Sequence, residues 1–423
     1  MTHKKNRGNF TSVLFFYSKY FIIFEVNLPL AGMIDNLLHK SFEYNGPSIE
    51  DLFTEKLEQS GLTKTQFEKL SGMERRSLDA ILDKTSKQTD IIKLLKLAEF
   101  LEVDLSELLI IHFKDRPVEE IRELQSSMDI TFINKYFDLK TLAGLGFIQK
   151  NDSLETLKNR ICSFFDLDTI YNYDRELSDA LYSRTKKSFS DKMKDFWIKS
   201  SYKYFELIDN PNEYSRKELV ELIPKIKPYT QNIENGLLTV FQALYNIGVT
   251  VVFQPLLPKT QIRGATFFIN DKPCIVITDF NKNYATIWFA LIHELHHVLF
   301  DVETIQKTSY HLSGEPDLFL IQEDKANEFA SEYLLSSEKM RYIEKLIHNK
   351  FMVEKFAKEC QIHPCIIYSQ YQWRQSKLGN DYWAAFKDAF PNIKNITKKL
   401  NVANWDVESI KEASLKIREL LTV

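Results

Sequence analysis

The run from Tyr284 to Phe300 constrains this chain more than any other segment. It contains no proline or glycine, and Trp288, Phe289, Leu291, Ile292, Leu295, Val298, Leu299 and Phe300 spread apolar side chains around most of a helix's circumference. A helix that is apolar on nearly all sides belongs in the middle of a fold, covered by other elements. The chain can supply that cover, since 423 residues with 44% hydrophobic and 13% aromatic content bury substantial surface, and this length suits two or three domains. His293, Glu294, His296 and His297 stand within the same helix. Buried polar groups cost free energy unless something pairs them.

Spacing indicates what that something is. His293 and His297 are four apart, so they share a helix face on which two imidazoles converge on one cation. Glu294 lies about a quarter-turn round. That places its carboxylate beside such a cation, where it can take a proton from bound water. His296 projects away from this face. A catalytic site of this kind keeps one position open and draws its third protein ligand from another element. The segment from Glu323 to Leu335 reads as a helix, with Ala326 and Ala330 small enough to let a neighbouring helix approach. Glu323 is the candidate third ligand, and spacing alone leaves Asp324 open as the alternative. Asn327, on the Glu323 face, is a candidate to orient a ligand. Tyr284, Tyr310 and His311 are weak candidates for an electrophile toward a developing oxyanion.

The surroundings of this helix change period. Val249 to Phe253 is β-branched and aromatic, and Gly264–Ile269 and Cys274–Thr278 flank the turn signal Asn270-Asp271-Lys272-Pro273, which predicts a hairpin. The strand Gly264–Ile269 or its hairpin partner is expected to offer an edge to an extended substrate. Upstream, between Arg116 and Leu257, amphipathic helices dominate: Leu154 to Phe165, Tyr173 to Ile208 with a break, and Asn235 to Ile247. Trp197, Tyr204 and Ile208 read as one buried stripe. Cys360, His363 and Cys365 read as ordinary packing. The four cysteines form no framework of paired spacings, which fits a reducing cytoplasm.

Five short helices are read between Ser48 and His112: Ile49–Ser60 ended by Gly61, a second capped by Thr63 and stopped at Gly72, Glu74–Leu82, Asp90–Leu101, and Leu105–Ile111 capped by Asp104. Two helices joined by a short glycine-containing turn can place the second in a DNA major groove. Residues 48–112 resemble the helix-turn-helix domain of the Cro/C1 (XRE) repressor class. The likeness lies in Thr63 to Phe67, Leu70-Ser71-Gly72, Ser77-Leu78 and Leu94 to Leu101 followed by Val103 to Leu108. Arg75, Arg76 and Ser77 are the candidates to reach bases or phosphates, with Lys64 and Lys84 beside them. Glu74, Asp79 and Asp83 oppose them, and a solvated helical face used for protein contacts is the competing reading. The net charge of −3, from 55 basic and 58 acidic residues, confines any nucleic-acid binding to a local patch. Residues 1–47 are an extension of uncertain status, with Met33 as the natural start. Lys19 and Glu25 interrupt its aromatic stretch, so no membrane span is expected.

The pattern His293-Glu294-x-x-His297, followed by Glu323-x-x-Ala326-Asn327-x-Phe329-Ala330 and Leu334-Leu335, resembles the ImmA/IrrE family of metallo-endopeptidases over about residues 240 to 375. The flanking Pro273–Thr278, Trp288–Leu291 and Phe356 to Ile367 agree with members fused to a Cro/C1-type domain. The resemblance implies Zn²⁺ held by His293, His297 and Glu323, with Glu294 as general base. It also implies restricted cleavage of a regulatory protein such as a repressor or toxin-system partner. The alternative is a DNA-binding transcription regulator or antitoxin whose metal domain senses or binds a partner with little turnover. The expected architecture is multidomain: an all-α helix-turn-helix bundle (48–112), a helical connecting region (113–235), an α+β zincin-like metallopeptidase domain (236–375) and a C-terminal helical extension (376–423). The expected partners are a protein substrate and DNA, and the reading allows a homodimer.

Overall fold

The computed structural model describes residues 30–86, 89–114, 116, 118–174, 191–308, 310–313, 323–397, 399–400 and 403–422. The chain divides into two compact units, Met1–Glu123 and Leu124–Val423. The dividing point falls inside the helix Val118–Tyr136.

In the first unit the helices Ile49–Ser60, Lys64–Ser71, Arg75–Leu82, Ile91–Leu101 and Leu105–Phe113 follow the pattern of caps and glycines. Ser48 with Asp51, and Thr63 with Gln66, form reciprocal capping boxes that satisfy backbone donors at two helix starts. Gly61 and Gly72 end those helices in the left-handed region, at φ of 66° and 64°, where a side chain would be strained. Ile49, Phe53, Phe67, Leu78, Leu97 and Leu108 meet in one core. The helix Leu30–Glu43 lies against Leu105–Phe113 with Leu37 and Leu38 buried, so this part of the N-terminal extension packs as a member of the bundle.

The second unit begins with helices and carries one small sheet. Asp191 caps the helix Lys192–Ile208, and the remainder of the long helical stretch read from Tyr173 falls partly at 175–190, outside the described residues. Trp197, Tyr204 and Ile208 are all buried. Phe147, Phe164, Phe165 and Phe196 pack ring on ring with Trp405. The C-terminal helix Ile410–Leu421 lies against Lys192–Ile208 and Gly236–Asn246. Arg160 anchors the segment ahead of it through the carbonyls of Val407 and Glu408, both at 2.8 Å. The C-terminal residues are thus built into the helical region.

The sheet has four strands in the order β1-β3-β2-β4: Thr250–Phe253, Gly264–Ile269, Lys272–Ile277 and Tyr310–Leu312 in chain order. β1 runs parallel to β3, while β2 is antiparallel to both β3 and β4. Asn270 and Asp271, at φ of 50° and 60°, make a two-residue hairpin turn, so Pro273 lies in β3 rather than in the turn. Neither strand of the hairpin is an edge. β3 lies between β1 and β2, and β2 is covered by β4, which corrects the expectation that the hairpin offers a substrate edge. The covering strand is only three residues long, too short to show a period in sequence.

The helix Tyr284–Phe300 starts at an Asn283 cap, whose side chain accepts from Ala285 and Thr286, and packs between this sheet and the helices Glu323–Leu334 and Pro364–Lys377. Ala326 and Ala330, both fully buried, permit the close approach of Glu323–Leu334. Among the described residues, no helix is long and apolar enough to cross a membrane.

Candidate metal centre

His293 and His297 converge as their spacing requires, with their Nε2 atoms 3.0 Å apart. Glu323, first residue of its helix, sets Oε2 3.4 Å from His293 Nε2 and Oε1 3.4 Å from His297 Nε2. Asp324, the alternative ligand, is exposed. A tetrahedral centre with donors at about 2.0–2.1 Å has edges of roughly 3.3–3.4 Å, so the two imidazole nitrogens and the carboxylate facing them are spaced for a zinc-sized cation with a fourth position left over. Among the described residues these three donors lie together as one such group, and His296, His297 and Asp301 form another.

The electrostatics of the triangle are those of a site that wants a positive charge. Burial opposes charging His297, but hydrogen bonds with Asp301 and Glu323 and the nearby Glu294 carboxylate outweigh it and raise the imidazole pKa to about 9. Burial likewise works against the Glu323 carboxylate, yet the hydrogen bonds of His293, His297 and His311 hold it far below the usual carboxylate range.

Three further contacts orient these groups. Asp301, at the end of the motif helix, accepts a hydrogen bond from His297 Nδ1 at 2.8 Å, which turns Nε2 toward the cation position. His311 of β4, buried, places Nε2 2.5 Å from Glu323 Oε1. Glu294 has no exposure at all, and the hydroxyls of Thr266 and Ser313 donate to its two oxygens at 2.7 and 2.6 Å. Gly264 makes room for it, since a Cβ there would fall 2.6 Å from Glu294 Oε1. Strand alternation explains the set. Gly264 and Thr266 on β2 share a face, Thr266 is the register partner of His311, and Ser313 follows two residues on.

Sequence reading singled out His311 only as a weak electrophile and overlooked Asp301, Thr266 and Ser313. Asp301 had a usable signal, four residues after His297. Asn327 is half-buried and makes no side-chain hydrogen bond to His293, His297 or Glu323. His296 is buried against Phe300 and Phe329, with ring centroids at 4.8 and 5.4 Å, and its Nδ1 is 3.6 Å from Asp301.

The nucleic-acid candidates of the first unit are placed differently. Arg75 and Arg76 are exposed at the start of Arg75–Leu82, but Lys64 is paired with Asp79 at 2.5 Å, and Ser77 accepts from Lys93 at 2.9 Å. Lys84 sits just past the helix end with φ 56°. Residues 48–112 carry 9 lysines and arginines against 13 aspartates and glutamates, so the segment is net acidic.

Comparison with curated proteins and with solved structures gives no match. Residues 246–360, which hold the whole sheet, the motif helix and the Glu323 helix, match the family model of Peptidase M78, the IrrE N-terminal-like domain.

Proposed function

We propose that this chain is a zinc-dependent endopeptidase in which His293, His297 and Glu323 hold the metal and Glu294 is the general base. The observation that carries this reading is the pair of imidazole nitrogens 3.0 Å apart, each 3.4 Å from an oxygen of the Glu323 carboxylate, beside the buried Glu294. A cation held there supplies a water of lowered pKa and polarises a peptide carbonyl. Glu294, with its oxygens oriented by Thr266 and Ser313, takes a proton and passes it to the leaving amine. Asp301 fixes the tautomer of His297 throughout. The substrate in this reading is a specific regulatory protein, a repressor or a toxin-system partner, and the compartment is the cytoplasm.

The test incubates the purified full chain and its Glu294→Gln variant with zinc and the products of genes adjacent to its own. Cleavage at a defined bond by the first protein alone is the expected result. A variant that cleaves as fast as the parent removes Glu294 from the mechanism.

A second reading is favoured by one specific observation, the exposure of Arg75 and Arg76 at the start of the helix that follows the Gly72 turn. In it, the protein is a DNA-binding regulator or antitoxin, and the metal domain binds a partner with little turnover. The helix pair Lys64–Ser71 and Arg75–Leu82, turned at Gly72, would then read DNA through Arg75, Arg76 and Lys84. Here Arg76→Glu should abolish binding to a promoter fragment containing the chain's own operator. Equal binding by parent and variant counts against it.

A further inference from the structure

His311 touches the third ligand of the proposed metal site without joining the donor triangle, and this contact can be read further, on the footing of the peptidase proposal. Among the described residues two groups of donors lie together, His293, His297 and Glu323 and also His296, His297 and Asp301, and His311 is in neither. Its Nε2 faces Glu323 Oε1 at 2.5 Å, an oxygen that also lies 3.4 Å from His297 Nε2, while Oε2 lies 3.4 Å from His293 Nε2. The His311 ring also packs edge-on against His297, with centroids 4.5 Å apart.

We propose that His311 is a positioning residue which holds Oε1 of Glu323 and so presents the carboxylate to the metal through one oxygen. A free carboxylate beside a dication can bind through both oxygens. An N–H bond to one of them opposes that and keeps a coordination position for water and substrate.

The fold explains why a histidine can do this at a position two elements away in sequence. His311 is the middle residue of β4, with Tyr310 and Leu312 buried on either side and in register with Phe267 and Ala265. Tyr310 and Phe267 also meet ring to ring at 5.7 Å. Ser313 N–H closes the strand on Gly264 O at 3.2 Å. Pairing with β2 fixes the backbone from which the imidazole reaches Glu323, and burial restricts the ring's rotation. The same short strand delivers Ser313 to Glu294, so ligand and base are both referenced to one strand face.

The experiment compares the full chain with its His311→Ala, His311→Gln and His293→Ala variants. Zinc affinity is measured by competition with a chromophoric chelator, and the visible absorption spectrum is recorded after substitution with cobalt. His311→Ala should weaken zinc binding by about 10- to 100-fold, the usual cost of losing a partner of a metal ligand. Its cobalt spectrum should lose intensity as Glu323 takes up two-oxygen coordination. His311→Gln, whose amide can donate near the same point and keeps the site filled, should recover most of the affinity and the parental spectrum.

Unchanged affinity and spectrum in His311→Ala overturn the proposal. So does a His311→Gln variant as impaired as His311→Ala, with a cobalt spectrum that has lost a nitrogen donor, because His311 would then be a ligand. Parental zinc affinity in His293→Ala would instead bring down the underlying metal site.

Discussion

Gly264→Ala isolates the placement of Glu294 from everything else in the site. The glycine is a strand residue outside the left-handed region, so alanine meets no backbone strain there. Its Cβ, however, would sit 2.6 Å from Glu294 Oε1 and 3.1 Å from Cδ and Cγ, where ordinary contact begins at 3.4 Å. The carboxylate must therefore retreat by about 0.8 Å, the difference between 3.4 and 2.6 Å. It cannot retreat freely, because Thr266 and Ser313 hold both oxygens at 2.7 and 2.6 Å and the residue is fully buried.

Crowding of this kind costs about 1–3 kcal/mol, partly offset by roughly 0.4–1 kcal/mol from the stiffer unfolded chain. The melting temperature should fall by only a few degrees. Catalysis should suffer far more, since a displacement near 1 Å in a reacting group costs on the order of 100-fold. The zinc ligands do not touch Gly264, so chelator competition should return an affinity close to the parent's. The assay is kcat/KM on the identified substrate, alongside a thermal melt and a zinc titration. Full turnover in a normally folded Gly264→Ala protein would refute the idea that the exact seat of Glu294 matters.

Other consequences follow from the charges of the donor triangle. His297 is raised to about 9, so in the metal-free protein its contribution to stability is fully present below pH 6.5 and is lost as pH rises through about 9. The depressed Glu323 acts in the opposite sense, contributing above about pH 4.5 and losing that contribution as pH falls toward its folded value. Metal-free stability from this pair should peak between those limits, whereas zinc affinity should climb from pH 6.5 to 9, because the cation must displace the His297 proton. Calorimetry in buffers of different ionisation enthalpy at pH 7 should register a proton released on zinc binding, and its absence would show His297 already neutral. Asp301→Asn should weaken zinc binding by about 10- to 100-fold while leaving the melting temperature of the first unit unchanged, measured by the same chelator competition.

What could be read from the sequence and what could not divide along one physical line. The groups of the candidate metal centre were readable because their geometry is local. His293, Glu294 and His297 belong to a single helix whose period fixes their faces, and Glu323 opens a helix recognisable by its own small residues. The caps and glycines of the first unit are local in the same way, and the five helix bounds came out within two residues. Apart from Asp301, four residues after His297, the groups that orient were not readable, because each acts through a partner farther away in the chain. Thr266 and Glu294 are 28 residues apart, Ser313 and Glu294 are 19 apart, and the pairing of Thr266 with His311 depends on a three-residue strand. That strand also explains the misplaced edge, since an amphipathic hairpin looks the same in sequence whether or not a third strand covers it. A short covering strand that carries His311 and leads directly into Ser313 has a mechanical consequence. Any movement of β4 away from β2 would release the metal's carboxylate and the base together, so the two halves of the proposed chemistry should be gained or lost as one.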